Sequence, residues 1–378
     1  MACSAVDWRT ELVDEMRMRG WRMTLMSTVT VGALAAGCQN TDIVPEARDV
    51  EGGRRASAPV DAIAAVVETA PVPHGDDAAD DPAIWVDPDD PSRSAVIGTD
   101  KDGGLAVYGL DGEQLQYLPD GALNNVDVRT GFPLGGAEVT LVTAGDRGDN
   151  TIAVYALDPA TRQLRDVAAR PLEAGVAIYG SCMYRSKASQ KTYFFATSEE
   201  GDVEQWELFD VGGKVDGRPV RTLRPDSGKS EGCAADDGLG RLYVGEEEQG
   251  IWRYGAEPDA GESRTAVDST GDGHLVADVE GLTVVPGAGD TGWLVASSQG
   301  DSAFAVYERG GENTFVRRFR VGGTGGVDGV EGTDGIDATT ADLGGRFAGG
   351  VFVAQDGRNP GGNQNFKLVP WASIVSTN

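Results

Sequence analysis

Glu231-Gly-Cys-Ala-Ala-Asp-Asp237 starts on a polar residue and runs into a short, mostly apolar stretch, and five other segments share that plan. They are Asp80-Asp-Pro-Ala-Ile-Trp-Val-Asp87, Asn125-Val-Asp-Val-Arg129, Tyr179-Gly-Ser-Cys-Met-Tyr184, Glu280-Gly-Leu-Thr-Val-Val285 and Asp334-Gly-Ile-Asp-Ala-Thr339. In chain order the six starting points lie 45, 54, 52, 49 and 54 residues apart. A second family of runs repeats between them: Leu105-Ala-Val-Tyr108, Ile152-Ala-Val-Tyr155, Val203-Glu-Gln-Trp206, Gly250-Ile-Trp-Arg253 and Phe304-Ala-Val-Tyr307. Six units of this length, each with room for four short strands, predict an all-β fold: a six-bladed β-propeller with four-stranded antiparallel blades around a central channel. A two-sheet sandwich does not give six near-equal periods in one chain. The ring must close, and the run Ala62–Val72 is expected to join the C-terminal blade for that purpose.

Composition agrees. The chain has 378 residues with 54 Gly, so turns are numerous, and 40% hydrophobic residues, enough for a large core. Its formal net charge is -28, which argues against nucleic acid as a partner. Only two histidines, His74 and His274, are present, so a histidine-rich zinc site is excluded. Abundant carboxylates suit a hard cation, calcium above all.

Residues 1–38 read as an export signal. Arg17, Arg19 and Arg22 precede an apolar or neutral run that ends in Leu34-Ala-Ala-Gly-Cys38, too short to span a bilayer. The cysteine resembles the lipidated residue of a bacterial lipoprotein signal, although Leu34 lies four positions before Cys38 rather than three. Residues 39–60 read as a flexible linker and 61–378 as the propeller. Export to the periplasm, outer membrane or exterior is the expected localisation, with membrane contact only through a lipid on Cys38, and the body is expected to be a monomer. Cys182 and Cys233 remain in the body, either as a disulfide or as two buried thiols.

In a propeller the innermost strands surround the channel and their equivalent ends share one face. Six polar clusters at one point of six repeats therefore converge. Acidic residues at strand starts also cap turns, and that reading suffices for Asp87, Asp89 and Asp90. Glu231 and Glu280 are not turn formers, and carboxylates that face one another persist when cations sit among them.

The run Asp76-Asp-Ala-Ala-Asp-Asp-Pro-Ala-Ile-Trp85 resembles the opening motif of the β-propeller phytases, the calcium-dependent alkaline phytase family. Collinear blocks follow: Leu123-Asn-Asn-Val-Asp127, Glu231-Gly232, Ala235-Asp-Asp237, Glu246-Glu247, Asp278-Val-Glu-Gly-Leu282, Ser297-Ser-Gln-Gly300, Asp334-Gly-Ile-Asp337, Val353-Ala-Gln-Asp-Gly357 and Asn363-Gln-Asn-Phe366. The resemblance implies calcium ions and stepwise hydrolysis of phytate, or of lower inositol phosphates offered as calcium salts, by metal-activated water attacking phosphorus in line. It assigns Lys101, Arg147 and Tyr179 to the scissile phosphate, Glu247 and Gln299 to the same catalytic face, and Asp80, Asp81, Glu231, Asp278, Glu280, Asp328 and Asp334 to the metal. A cation, a guanidinium fork and a phenol do suit phosphate oxygens.

Two positions depart from the family. Where it places further lysines for a neighbouring phosphate, this chain has Asp102 and Glu199, which leads us to expect weaker phytate binding or greater reliance on calcium-loaded substrate. Alternatives are another calcium-dependent propeller hydrolase, such as a lactonase, or a non-catalytic cell-surface binding propeller. The Lys101/Arg147 pair separates the first, because a neutral lactone needs no two cations. Asp268-Ser-Thr-Gly-Asp-Gly273 imitates an EF-hand start but has Val279 at the twelfth position, and reads as a turn. Arg317, Arg318 and Arg320 read as solvated residues of an outer strand, and the two histidines as surface loop residues.

Overall fold

Short apolar runs cut by Gly, Asp and Pro make strands: successive side chains point to opposite faces, each face is buried against a neighbouring blade, and the punctuation turns the chain back. The computed structural model describes residues 60–225, 228–271 and 273–376, so the expected signal and Cys38 lie outside the described residues, as does all but the last residue of the expected linker. Six sheets form. Blade 1 is Ala79–Trp85, Ala95–Asp100, Gly104–Gly109 and Gln114–Leu118. Blade 2 is Leu123–Leu134, Ala137–Asp146, Thr151–Asp158 and Gln163–Asp166, and blade 3 is Gly180–Arg185, Thr192–Thr197, Val203–Val211 and Lys214–Leu223. Blade 4 is Ser230–Asp236, Arg241–Glu246, Gly250–Gly255 and Arg264–Ser269. Blade 5 is Val279–Pro286, Gly292–Ser298, Ala303–Glu308 and Phe315–Gly322. Each strand pairs antiparallel with the next in chain order. The polar-headed runs are the first strands of the six blades, and the aromatic runs are the third strands of blades 1 to 5.

Blade 6 takes Ile336–Thr339, Val351–Asp356 and Asn365–Pro370 from the end of the chain and its fourth strand, Val67–Glu68, from the beginning. Val67 pairs with Leu368 and Glu68 with Lys367. The expected single closing strand is in fact divided. Asp61–Ala64 runs parallel to Phe315–Gly322 as a fifth strand of blade 5. The chain changes sheets between Ala65, whose N–H donates to Gly322 O, and Val66, whose N–H donates to Leu368 O. One segment thereby satisfies the open edges of two blades, which would otherwise expose unpaired backbone groups.

Among the described residues the buried apolar side chains fall into six clusters, one between each pair of adjacent blades. Blade 6 meets blade 1 through Val351, Val353 and Phe366 against Ile84, Val96 and Tyr108. Blade 3 meets blade 4 through Tyr193 and Phe195 against Leu242 and Val244, beside a Cys182–Cys233 disulfide with a Cα–Cα distance of 5.7 Å. No blade buries both faces alone, so stability is a property of the closed ring. Arg318 corrects one expectation: it is largely buried and both carboxylate oxygens of Asp301 accept from it at 2.6 Å. Asp268 does close a turn, accepting from the N–H groups of Ser269 and His274.

At the head of the inner strands the blades approach until only glycine fits. A Cβ on Gly180 would stand 2.1 Å from Glu231 O, one on Gly232 2.1 Å from Glu280 O, and one on Gly281 2.7 Å from Asp334 O. On Gly335 it would meet Asp81 Cα at 2.4 Å. Each glycine follows Tyr179, Glu231, Glu280 or Asp334, so a close backbone contact between blades is made beside each of these polar residues. Because the obstacle is backbone, Gly232→Ala must part blades 4 and 5; we expect a loss of about 1–3 kcal/mol in urea unfolding, and an unchanged midpoint would contradict this packing.

Candidate active site

The inner strands run in the same direction, and direct bonds link their heads around the channel. Asp80 Oδ2 accepts from Asn125 N–H at 3.0 Å, joining blades 1 and 2. Asn124 Nδ2 donates to Tyr179 O and to Glu231 Oε1, the latter at 2.8 Å, joining blades 2, 3 and 4. Gly281 N–H donates to Asp334 O at 2.6 Å, joining blades 5 and 6, and Lys101 Nζ donates to Asp334 Oδ2 at 2.8 Å, returning to blade 1.

Glu231, Glu247 and Glu280 form the centre of this face. All three are buried, and one carboxylate oxygen from each lies within 4.8 Å of the others. At that distance each like-charge pair costs about 3 kcal/mol with an effective dielectric of ~20. Three pairs cost on the order of 10 kcal/mol, comparable with the whole stability of a domain. The ionised cluster therefore needs protons or cations. Burial, followed by the charge of Asp80, holds Glu231 well above the usual carboxylate range, and burial followed by Glu231 does the same for Glu280. Asp334 is pushed up to about 6 by burial, although Lys101 opposes the shift.

Three cations border the acids. Lys101 Nζ contacts Asp334, Asp77 at 3.1 Å and Asp80 at 3.7 Å; burial alone would lower its pKa, but Asp80 and Asp334 outweigh that and keep it charged. The Arg147 guanidinium carbon stands 4.8 Å from the centroid of the Tyr179 ring, and Lys229 Nζ 4.3 Å from the same centroid. Lys229 also donates to Tyr179 Oη and pairs with Glu247 Oε1 at 3.1 Å. Burial and the Glu231 carboxylate raise the Tyr179 pKa, so the phenol keeps its proton at neutral and alkaline pH. Gln299 Nε2 donates to Asp334 Oδ1 at 2.7 Å.

Most of the residues assigned from the sequence thus meet: Lys101, Arg147, Tyr179, Glu247, Gln299, Asp80, Glu231, Glu280 and Asp334. Asp278 lies just before Glu280, and its carbonyl accepts from Gln299 N–H. Asp81 is buried and accepts from Val126 N–H at 3.1 Å, pinning blade 1 to blade 2, with its pKa raised by burial and by Asp80. Asp328 stands elsewhere. It accepts from the buried Lys367 ammonium, which Glu68 and Asp356 also surround at 2.6 and 3.4 Å. Asn124 and Lys229 join the face without having been singled out in the sequence. Lys229 had a signal: it lies two residues before Glu231, and residues i and i+2 of an extended chain share a face.

The donor set is all oxygen. Among the described residues Asp80 Oδ1, Asn124 Oδ1 and Glu280 Oε2 are buried without a hydrogen-bond partner. Unpartnered carboxylate and amide oxygens on one face fit calcium and offer nothing to a soft metal. Deeper in the channel, a cavity of about 610 Å³ holds Arg129, already paired with Asp127 at 2.5 Å and Asp237 at 3.0 Å, so its charge is spent inside the protein.

A family model described as phytase matches residues 34–377. Over 324 residues the chain is 43% identical to a 3-phytase of Bacillus subtilis (strain 168), covering 83% of this chain and 84% of that protein. Among solved structures, regucalcin, a calcium-binding protein from Agrobacterium tumefaciens strain C58, aligns with a TM-score of 0.51 over 82% of this chain and 97% of its own. At 12% identity that likeness concerns the fold alone. Matched by the family model over most of its length, and by a 3-phytase at well above a third of aligned positions, the chain belongs to the phytase family.

Proposed function

We infer that the protein is a phosphomonoesterase that hydrolyses phytate to lower inositol phosphates and inorganic phosphate, and that calcium held by the channel-mouth acids is required. The observation that carries this reading is the juxtaposition of Lys101, Arg147 and Tyr179 with the buried cluster of Glu231, Glu247 and Glu280. Cations and a protonated phenol suit phosphate oxygens, whereas a neutral lactone would leave the two cations without a task.

Glu231, Glu247, Glu280, Asp80 and Asp334 would hold the calcium, with Asn124 Oδ1 as a neutral donor. When bound, calcium neutralises the acids, polarises phosphoryl oxygens and lowers the pKa of water. The chain's own groups do the rest. Lys101 and Arg147 neutralise charge on the equatorial oxygens of the phosphoryl group as it moves in line from leaving oxygen to water oxygen. Tyr179 Oη donates to one of those oxygens, a task its raised pKa preserves. Gln299 holds Asp334 in place through its amide. Export of the protein, with a lipid on Cys38, belongs to the same proposal and would place it where phytate salts are met.

Phosphate release from calcium phytate tests the reading: release with calcium and its loss in chelator are expected, and a folded protein that releases none with calcium present would contradict it. A second expectation concerns stability. Carboxylates with raised folded-state pKa values weaken the fold once the pH climbs above their ordinary range, because the unfolded chain loses its protons first. In chelator at pH 8, Glu231→Gln/Glu280→Gln should therefore melt about 3 °C or more above the parent, roughly 1 kcal/mol or more for a chain of this size. The gap should shrink as the pH falls toward about 4.3, the ordinary glutamate value. Saturating calcium should reverse the order, because ions that bind only the folded parent add to its stability by mass action. The same order in both conditions would show that these glutamates hold no ion.

A further inference from the structure

Phytate carries a phosphate on every ring carbon, so the group being cleaved arrives with dianions beside it. The positions at which the resemblance to the family implies further lysines are poorly equipped, since Asp102 and Glu199 stand there, exposed and acidic. Lys229 is placed differently. Its ammonium and the Arg147 guanidinium both lie against the ring of Tyr179, at 4.3 and 4.8 Å from the centroid. The two cations are thus no more than about 9 Å apart, close enough for one inositol ring to bring a phosphate to each.

The chain also shows what a purely structural lysine looks like. The Lys367 side chain is 0% exposed and three carboxylates surround its ammonium, so its charge is consumed. The Lys229 side chain is 40% exposed and has one carboxylate, Glu247, and one phenol as partners. An ammonium has three donors; one donates to Tyr179 Oη, and Glu247 stands within ion-pair distance. Among the described residues no other side chain pairs with this half-exposed ammonium, which lies next to the group assigned to the scissile phosphate.

Building on the phytate reading above, we propose that Lys229 binds the substrate phosphate adjacent to the scissile one, supplying from blade 4 the positive charge that Asp102 and Glu199 do not. It is a specificity residue for polyphosphorylated substrates. Its hold on Tyr179 is a second, positioning role, and the two can be separated kinetically.

The test is steady-state hydrolysis of phytate at saturating calcium by the parent, Lys229→Met and Lys229→Arg, with melting curves in calcium for all three. Loss of one charge-assisted contact should raise KM about tenfold in Lys229→Met, with kcat within about twofold, and Lys229→Arg should recover most of the affinity. An unchanged KM in Lys229→Met overturns the proposal. So does a fall in kcat alone, which would mean that the lysine acts only through Tyr179. If Lys229→Met melts early, Lys229→Arg and Lys229→Gln decide: equal KM values for the two overturn it. A parent that releases no phosphate removes the phytate reading itself, whereas an active parent with an indifferent Lys229 removes this inference alone.

Discussion

Close approach of backbone at the heads of the inner strands governs this molecule. Gly180, Gly232, Gly281 and Gly335 each admit the next blade at a distance no Cβ would tolerate. Six interblade clusters close the ring from outside, but the glycines decide how tightly it closes at the channel mouth. Since a polar residue precedes each of them, the same contact that completes the fold presses Tyr179, Glu231, Glu280 and Asp334 toward a common centre. Folding and site assembly are here one event.

The consequence is electrostatic. Apolar burial must overcome repulsion among carboxylates that the fold itself brings together. Among the described residues the face as folded brings together Asp77, Asp80, Glu231, Glu247, Glu280 and Asp334, against the cations Lys101, Arg147 and Lys229. Such a surface repels a polyanion. Calcium among the acids would reverse the local sign, after which the bordering cations and Tyr179 are free to act on phosphate. The acidity of the sequence is in this sense the charge of a partner-free state.

The fold was readable because a propeller writes its period into the chain: six polar-headed inner strands and five aromatic third strands recur at matching intervals. Most of the acids were readable for the same reason, since equivalent strand ends must share a face. What escaped depends on contacts between units. Lys229 has no counterpart in the other blades. Asp328 pairs with Lys367 on a strand that only the closed sheet brings to it, and the division of the first strands between blades 5 and 6 follows from two open edges competing for one segment. The disulfide likewise needed the distance between two inner strands, which spacing along the chain does not specify.

Cations should convert this face from repelling to accepting phosphate. Calorimetric titration of the protein with inositol hexasulfate, which places an anionic group on every ring carbon as the substrate does but offers no phosphate ester to cleave, tests it directly. Binding at least about tenfold tighter in calcium than in chelator, with the fold intact in both, is the predicted result. Equal affinity in the two conditions would contradict the account.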